Sequence, residues 1–349
     1  MAFTNILGLV NTPSNLGLPT ATEIGEAVRT WEPDPSQFKL SPILPLKSIM
    51  AQSLVWSELE SIMGMTQSYK PGADVKLVGH RGRTPRQATP FFFRETGQLD
   101  ETDFITAMSE LSYNKLACEE LVMSKAQQLD LRCETRIEWV RAKAISEGSV
   151  TVDGETVTYN IPGGNKPTPE TLWTADEADP ITDIQNWLML FRGVGFGVRC
   201  LYSRKVAQYL SRNEKVRDLF RQSGFAGQLG PANVGTLLEA MVGDGQPVTF
   251  EIYDGGYLDE DTGLYSPFLA DNKFLMIANP PKGQVLGHFI STPSISGAMG
   301  DSYTPRPGKF VVVNNRLKEE KPTWTQTQGI YGGVALYHPK NIVAATIAA

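Results

Sequence analysis

Phe104, Met108, Leu111, Cys118, Val122, Ala126, Leu129, Cys133, Ile137, Val140 and Ala144 form one apolar stripe along the chain. The stripe covers 40 residues in about 11 turns, close to the 3.6-residue repeat of an α-helix. Thr102 or Asp103 supplies a start signal, and "SEGS" supplies the end. "LSYN" at 111–114 is a point where the run can break. The second piece, 115–147, would still be ~50 Å long, against a mean helix of about 11–12 residues. A rod of that length is the strongest constraint on what this chain can become.

Directly after it comes "SVTVDGETVTYNI", two alternating runs around Asp-Gly, the strongest short-range signal for a β-hairpin. Beyond the linker "GGNKPTPE" the composition turns to mixed helix and strand. "DPITDIQNWLMLF", "RKVAQYL", "NEKVRDLFRQ" and "NVGTLLEAMV" read as helices, and "QPVTFEIYD" and "NKFLMIA" as strands. The tail "KFVVVNN" and "GGVALYHPKNIVAATI" is strand-like again.

The segment before the stripe has a different character. Residues 1–50 are broken by "NTPSNLGLPT", "WEPDPSQ" and "SPILPLK", and each residue before a proline favours extended backbone. That composition predicts an arm laid on something else. Residues 51–94 read as strands around a basic tip, "LVGHRGRTPRQ", followed by three phenylalanines in "TPFFFR". Between 66 and 94, Lys70, Lys76, Arg81, Arg83, Arg86 and Arg94 oppose Asp74 alone, although the whole chain has net charge −6.

That acidic total argues against a general nucleic-acid binder. Three cysteines allow no disulfide framework; Cys118 and Cys133 would sit ~22 Å apart along one helix, and a reducing compartment is expected. No signal peptide or spanning segment is evident. "GVGFGV" is GxGxG after a helix, not the dinucleotide fingerprint. His80, His288 and His338 are scattered and suggest no zinc site. "DGGYLDEDTG" lacks the closing acid of a calcium loop, the twelfth place from Asp259 being Ala270, so it reads as a hairpin with solvated acids. No catalytic, cofactor or metal residue is expected.

From about residue 129 the sequence resembles the lambda-type major capsid protein family (protein E family) of tailed bacteriophages. The likeness rests on five runs in order. "LRCETRIEWVRAKAISEGSVTVDGETVTYN" carries Glu134, Arg136, Glu138 and Gly148 in matching places. "LWTADEADPITDIQNW" carries Trp173, Asp179, Pro180, Asp183 and Ile184. "LYSRKVAQYLSRNEKVRDLF", "VTFEIYDGGYLDEDTGLYSPFLADNKFLMIA" and "PTWTQTQGIYGGVALYHPKNIVAATI" follow.

The resemblance implies an α+β fold, that of tailed-phage and herpesvirus major capsid proteins. Residues 1–50 would be an N-terminal arm and 51–100 an extended E-loop hairpin. Residues 101–162 would be a peripheral domain with a long spine helix, completed by 306–349, and 163–305 an axial domain. The implied function is a head protein that assembles into hexamers and pentamers of an icosahedral shell around phage DNA. An encapsulin-like compartment shell is the alternative within the same fold. The chain's main partner would then be itself. A scaffolding protein, a portal and a decoration protein would join it, with double-stranded DNA enclosed without sequence-specific binding. Assembly would occur in the host cytoplasm and the product would be the virion capsid, with no membrane and no cofactor involved.

Five- and six-fold rings from one sequence need pliable contacts. The expected inter-subunit residues are therefore the basic hairpin and its aromatic flank: Lys76, Arg81, Arg83, Arg86, Phe91, Phe92, Phe93 and Arg94. Asp176, Glu177 and Asp179 are the expected acidic counterpart, with Asp254, Asp259, Glu260 and Asp261 as a second acidic stretch.

Overall fold

The computed structural model describes residues 18–60, 82–110, 115–223, 228–242, 247–281, 284–294, 305–316 and 323–348, with only the backbone given at 108 and 110. The elements run α1 (Ala21–Thr30), β1 (Leu46–Ser48), β2 (Leu54–Leu59), β3 (Arg83–Ala88), β4 (Phe91–Asp100), α2 (Glu101–Glu110) and α3 (Lys115–Ser146). Then come β5 (Ser149–Val152), β6 (Glu155–Thr158), α4 (Pro180–Met189), β7 (Phe196–Tyr202), α5 (Arg204–Arg212), α6 (Glu214–Gln222) and α7 (Val234–Val242). The strands β8 (Val248–Ile252), β9 (Gly256–Leu258), β10 (Tyr265–Pro267), β11 (Lys273–Asn279) and β12 (Gly287–Ser291) follow. The short pair β13 (Pro293–Ser294) and β14 (Arg306–Pro307) precedes β15 (Phe310–Asn315), β16 (Thr323–Leu336) and β17 (Ile342–Thr346).

The expected rod exists. α3 has 32 residues, ~48 Å. Its stripe splits into two apolar blocks that belong to different cores. Cys118, Val122 and Ala126 pack with α1, Leu99, Val311 and Trp324. Ile137, Val140 and Ala144 pack with Phe91, Phe289, Ile330 and Val334. Between them the helix face carries the buried carboxylates of Asp130 and Glu134.

The hairpin after the helix also forms as expected. β5 and β6 pair with Val152 opposite Glu155, and Asp153 (φ 50°) and Gly154 (φ 85°) make the left-handed turn. A Cβ at Gly154 meets no neighbouring atom, so Gly154→Ala isolates the conformational cost. That variant is expected to lose about 1 kcal/mol, read as a small drop in melting temperature with an unchanged circular dichroism spectrum.

Two sheets organise the rest. In the first, β16 pairs with β4 along one edge (Thr323–Asp100 to Gly332–Phe91); the other edge is shared by β15 and β12, and β1 adds in parallel to β12. The second has the order β17-β11-β7-β8, with β7 and β8 parallel. This second sheet is covered on both faces. Phe274, Met276 and Ala278 face the helices α4–α7, while Leu275 and Ile277 face the core shared with α3 and β16. The same alternation runs through Cys200, Leu201 and Tyr202, and through Ile342 to Ala345. Double burial explains why "KFLMIA" is a continuous apolar run instead of an alternating one.

Three sequence expectations need correction. The first 50 residues are not all extended: α1 forms, because Thr20 and Glu23 make a reciprocal capping box, and it buries Ile24 and Val28 against α3. Residues 91–100 leave the hairpin and join the first sheet through β16, so the 51–100 boundary does not follow the strands. The later boundaries are crossed as well. β12, within 163–305, pairs with β16, and β17, within 306–349, pairs with β11 in the second sheet. Backbone pairing across long sequence separations ties the two sheets together.

Candidate functional site

The basic hairpin is anchored by β2 and β3, paired from Leu54–Ala88 to Leu59–Arg83. Lys76 and Arg81 lie outside the described residues. Arg83 is exposed on the stem. Arg86 is committed within the chain: its Nε donates to Glu58 Oε1 at 3.0 Å, and Asn160 Nδ2 donates to the other carboxylate oxygen. Beneath them Trp56 is buried beside Tyr159, ring centroids 6.1 Å apart, which fixes the root of the hairpin on the body.

Strand alternation divides the three phenylalanines. Phe91 is buried in the core and Phe93 packs against it, beneath the Arg136 guanidinium, which also stacks on Trp139 at 4.4 Å. Phe92 points the other way and is 41% exposed, stacked on Phe310 and edge-on to Tyr331, with Arg94 over its ring at 5.5 Å. Only Phe92 and Arg94 of this set can meet a neighbour without repacking the chain's own interior. Gly329 permits the arrangement, since a Cβ there would fall 2.2 Å from the Phe93 carbonyl and 2.7 Å from the Phe310 ring.

The acidic counterpart divides too. Asp176 and Glu177 are exposed, and among the described residues neither has an ion-pair partner in the chain. Asp179 accepts from Thr182 N to cap α4 and pairs with Lys215 Nζ at 2.7 Å. Burial alone would raise its carboxyl, but Lys215 and Thr182 hold it below the usual range. In the second acidic stretch, Asp254 accepts from Arg204 at its amide and guanidinium, and β9 and β10 form the expected hairpin around the remaining acids.

Sequence reasoning missed a surface groove of about 600 Å³ between α3, β4 and the β9–β10 hairpin. Leu131, Arg136, Trp139, Phe93 and Tyr257 line it, and Arg132 spans its mouth between Glu95 and Glu260. Leu131 and Leu258 in its lining stand exposed, at 49% and 65%. The available signal was Leu131, an apolar residue lying off the buried stripe of α3.

The glycines of "GVGFGV" have backbone roles. Gly193 and Gly197 adopt positive φ, and a Cβ at Gly195 would lie 2.5 Å from the Asn279 carbonyl. Among the described residues no cluster of three or more His, Cys, Asp or Glu side chains is placed to hold a metal, and no helix is long and apolar enough to cross a membrane. Cys118 and Cys200 are buried, and burial pushes the Cys200 thiol well up.

The residues of the resemblance hold the fold together. Glu138 accepts from Leu40 N and from Tyr253 Oη, both at 2.7 Å, and pairs with Arg141. Trp173 Nε1 donates to Asp183 at 2.9 Å, and Pro180 opens α4 after its Asp179 cap. Gly148 takes φ 73° where α3 ends.

Comparison with known proteins agrees with this architecture. The putative capsid protein of a prophage in Escherichia coli CFT073 superposes with a TM-score of 0.59 at 15% identity, covering 92% of this chain and 95% of that one. A phage-related protein from Bordetella bronchiseptica RB50 gives 0.52 at 10% identity, covering 93% and 96%. No curated protein matches by sequence. The fold is that of tailed-phage major capsid proteins. The model of the family described as phage major capsid protein E matches residues 20–328, from the cap of α1 into β16, and the chain belongs to that family.

Proposed function

We propose that this chain is the shell subunit of a phage head, assembling with its own copies into hexamers and pentamers that close as an icosahedral capsid around double-stranded DNA. The family match over residues 20–328 carries the reading. The role is structural, without catalysis. Assembly takes place in the host cytoplasm with a scaffolding protein and a portal, and a decoration protein can join the outside. The net charge of −6 suits a wall that encloses DNA without gripping its phosphates.

The contact between copies uses Lys76, Arg81, Arg83, Arg94 and Phe92 on one subunit, with Asp176 and Glu177 on the next. Arg86, Phe91, Phe93 and Asp179 support that contact from within their own chain, because their partners are already intramolecular. Exposed ion pairs contribute about 0–1 kcal/mol each, so charge sets register while apolar area supplies the adhesion.

Electron microscopy of the expressed protein, with and without its neighbouring phage genes, tests the function: closed DNA-filled heads are expected. Small shells loaded with an enzyme would favour the compartment reading. For the contact, Asp176→Lys with Glu177→Lys is expected to leave a folded chain that forms few or no particles. Normal particle yield from that double variant would remove the acidic patch from the mechanism. Replacing residues 62–80 by a short Gly-Ser turn is expected to have the same effect, and unchanged particles would remove the hairpin.

A further inference from the structure

The middle of α3 meets the first sheet through polar groups. Lys309, at the entry to β15, sends its side chain between Asp130 and Glu134, one helical turn apart on α3. Its Nζ lies 2.7 Å from Asp130 Oδ1 and 2.6 Å from Glu134 Oε1. All three side chains are at least nine-tenths buried. The single ammonium is therefore held in direct contact with both carboxylates. Nearby on β16, the buried side-chain amides of Gln326 and Gln328 find no hydrogen-bond partner among the described residues.

One ammonium against two buried carboxylates leaves an excess negative charge, which favours protonation of a carboxyl there. Burial pushes the Asp130 carboxyl up to about 6, against the opposing pull of Lys309. A protonated carboxyl in direct contact with a buried amine is the starting arrangement for amide formation. We propose that Lys309 and Asp130 condense into an intramolecular isopeptide bond, with Glu134 as the proton acceptor.

The step balances without any co-reactant. Glu134 takes one proton from the ammonium, and the freed Nζ attacks Asp130 Cγ. The N–C bond forms, the C–OH bond breaks, and the hydroxyl leaves as water with the second amine proton. The third proton stays on the amide nitrogen. Nothing is oxidised or reduced, and a buried charge cluster becomes a neutral amide and a neutral acid. The product staples α3 to β15 across 179 residues of chain (130 to 309), at the seam where apolar packing is interrupted.

Mass spectrometry of a digest of the denatured protein tests this directly. The expected product is one branched peptide that joins the segments around 130 and 309 and is lighter than their sum by one water. Glu134→Gln keeps both reacting groups and a neutral side chain of the same shape, and Lys309→Arg keeps the charge but cannot condense. Both are expected to give only linear peptides while retaining the native circular dichroism spectrum. Linear peptides with free Lys309 and Asp130 from the unmodified protein would overturn the proposal, whether or not either variant folds.

Discussion

Replacing Glu138 by alanine is expected to cost about 3–5 kcal/mol, enough to abolish soluble expression or to shift the urea midpoint severely. Glu138 is fully buried and holds three separate parts of the chain: Leu40 before β1, Tyr253 after β8 and Arg141 one turn along α3. Removing it strands the Arg141 guanidinium, 1% exposed above the Phe289 ring, without its paired carboxylate. The amide N–H of Leu40 loses its acceptor at the same time. Glu138→Gln separates these effects, since it keeps an oxygen for Leu40 and Tyr253 and removes only the charge. It is expected to retain most of the defect. A loss under about 1 kcal/mol in that variant would show that the hydrogen bonds matter here and the charge does not.

Phe274→Ala is expected to cost about 3–5 kcal/mol through lost burial and an unfilled cavity. Phe274 is fully buried and central to an aromatic cluster: Trp173 at 5.2 Å, Tyr202 at 5.7 Å, Trp187 at 6.1 Å and Phe250 at 6.4 Å. These neighbours come from the linker, two strands and a helix, so the hole cannot be closed by one side chain moving. Phe274→Leu restores most of the volume and is expected to lose less than half as much. Urea denaturation of the purified chain measures both, and equal losses would show that ring geometry outweighs volume.

The local elements were readable because each is set by near neighbours. The α3 stripe, the Asp-Gly turn and the Asp179-Pro180 entry to α4 all depend on spacings of a few residues. The capping box of Thr20 and Glu23 was equally local, but the surrounding prolines concealed it. What sequence could not show were pairings at a distance. Nothing near Phe91 indicates that it will meet Gly332, or that Phe274 will lie beside Ala345. The proposed contact residues were partly legible for the same reason. Charge density drew attention to the hairpin, but only the fold reveals that Glu58 occupies Arg86 and that Lys215 occupies Asp179.

The second sheet serves two cores at once, with odd and even residues of β11 facing opposite sides. Sliding β11 by one position would turn every side chain over and force each set into the core shaped for the other, so that sheet is locked in register. Curvature in an assembled particle must therefore be taken up at the margins of each tile. Particles of different radius built from this protein should superimpose closely over residues 196–202 and 273–279 and diverge in the β2–β3 extension.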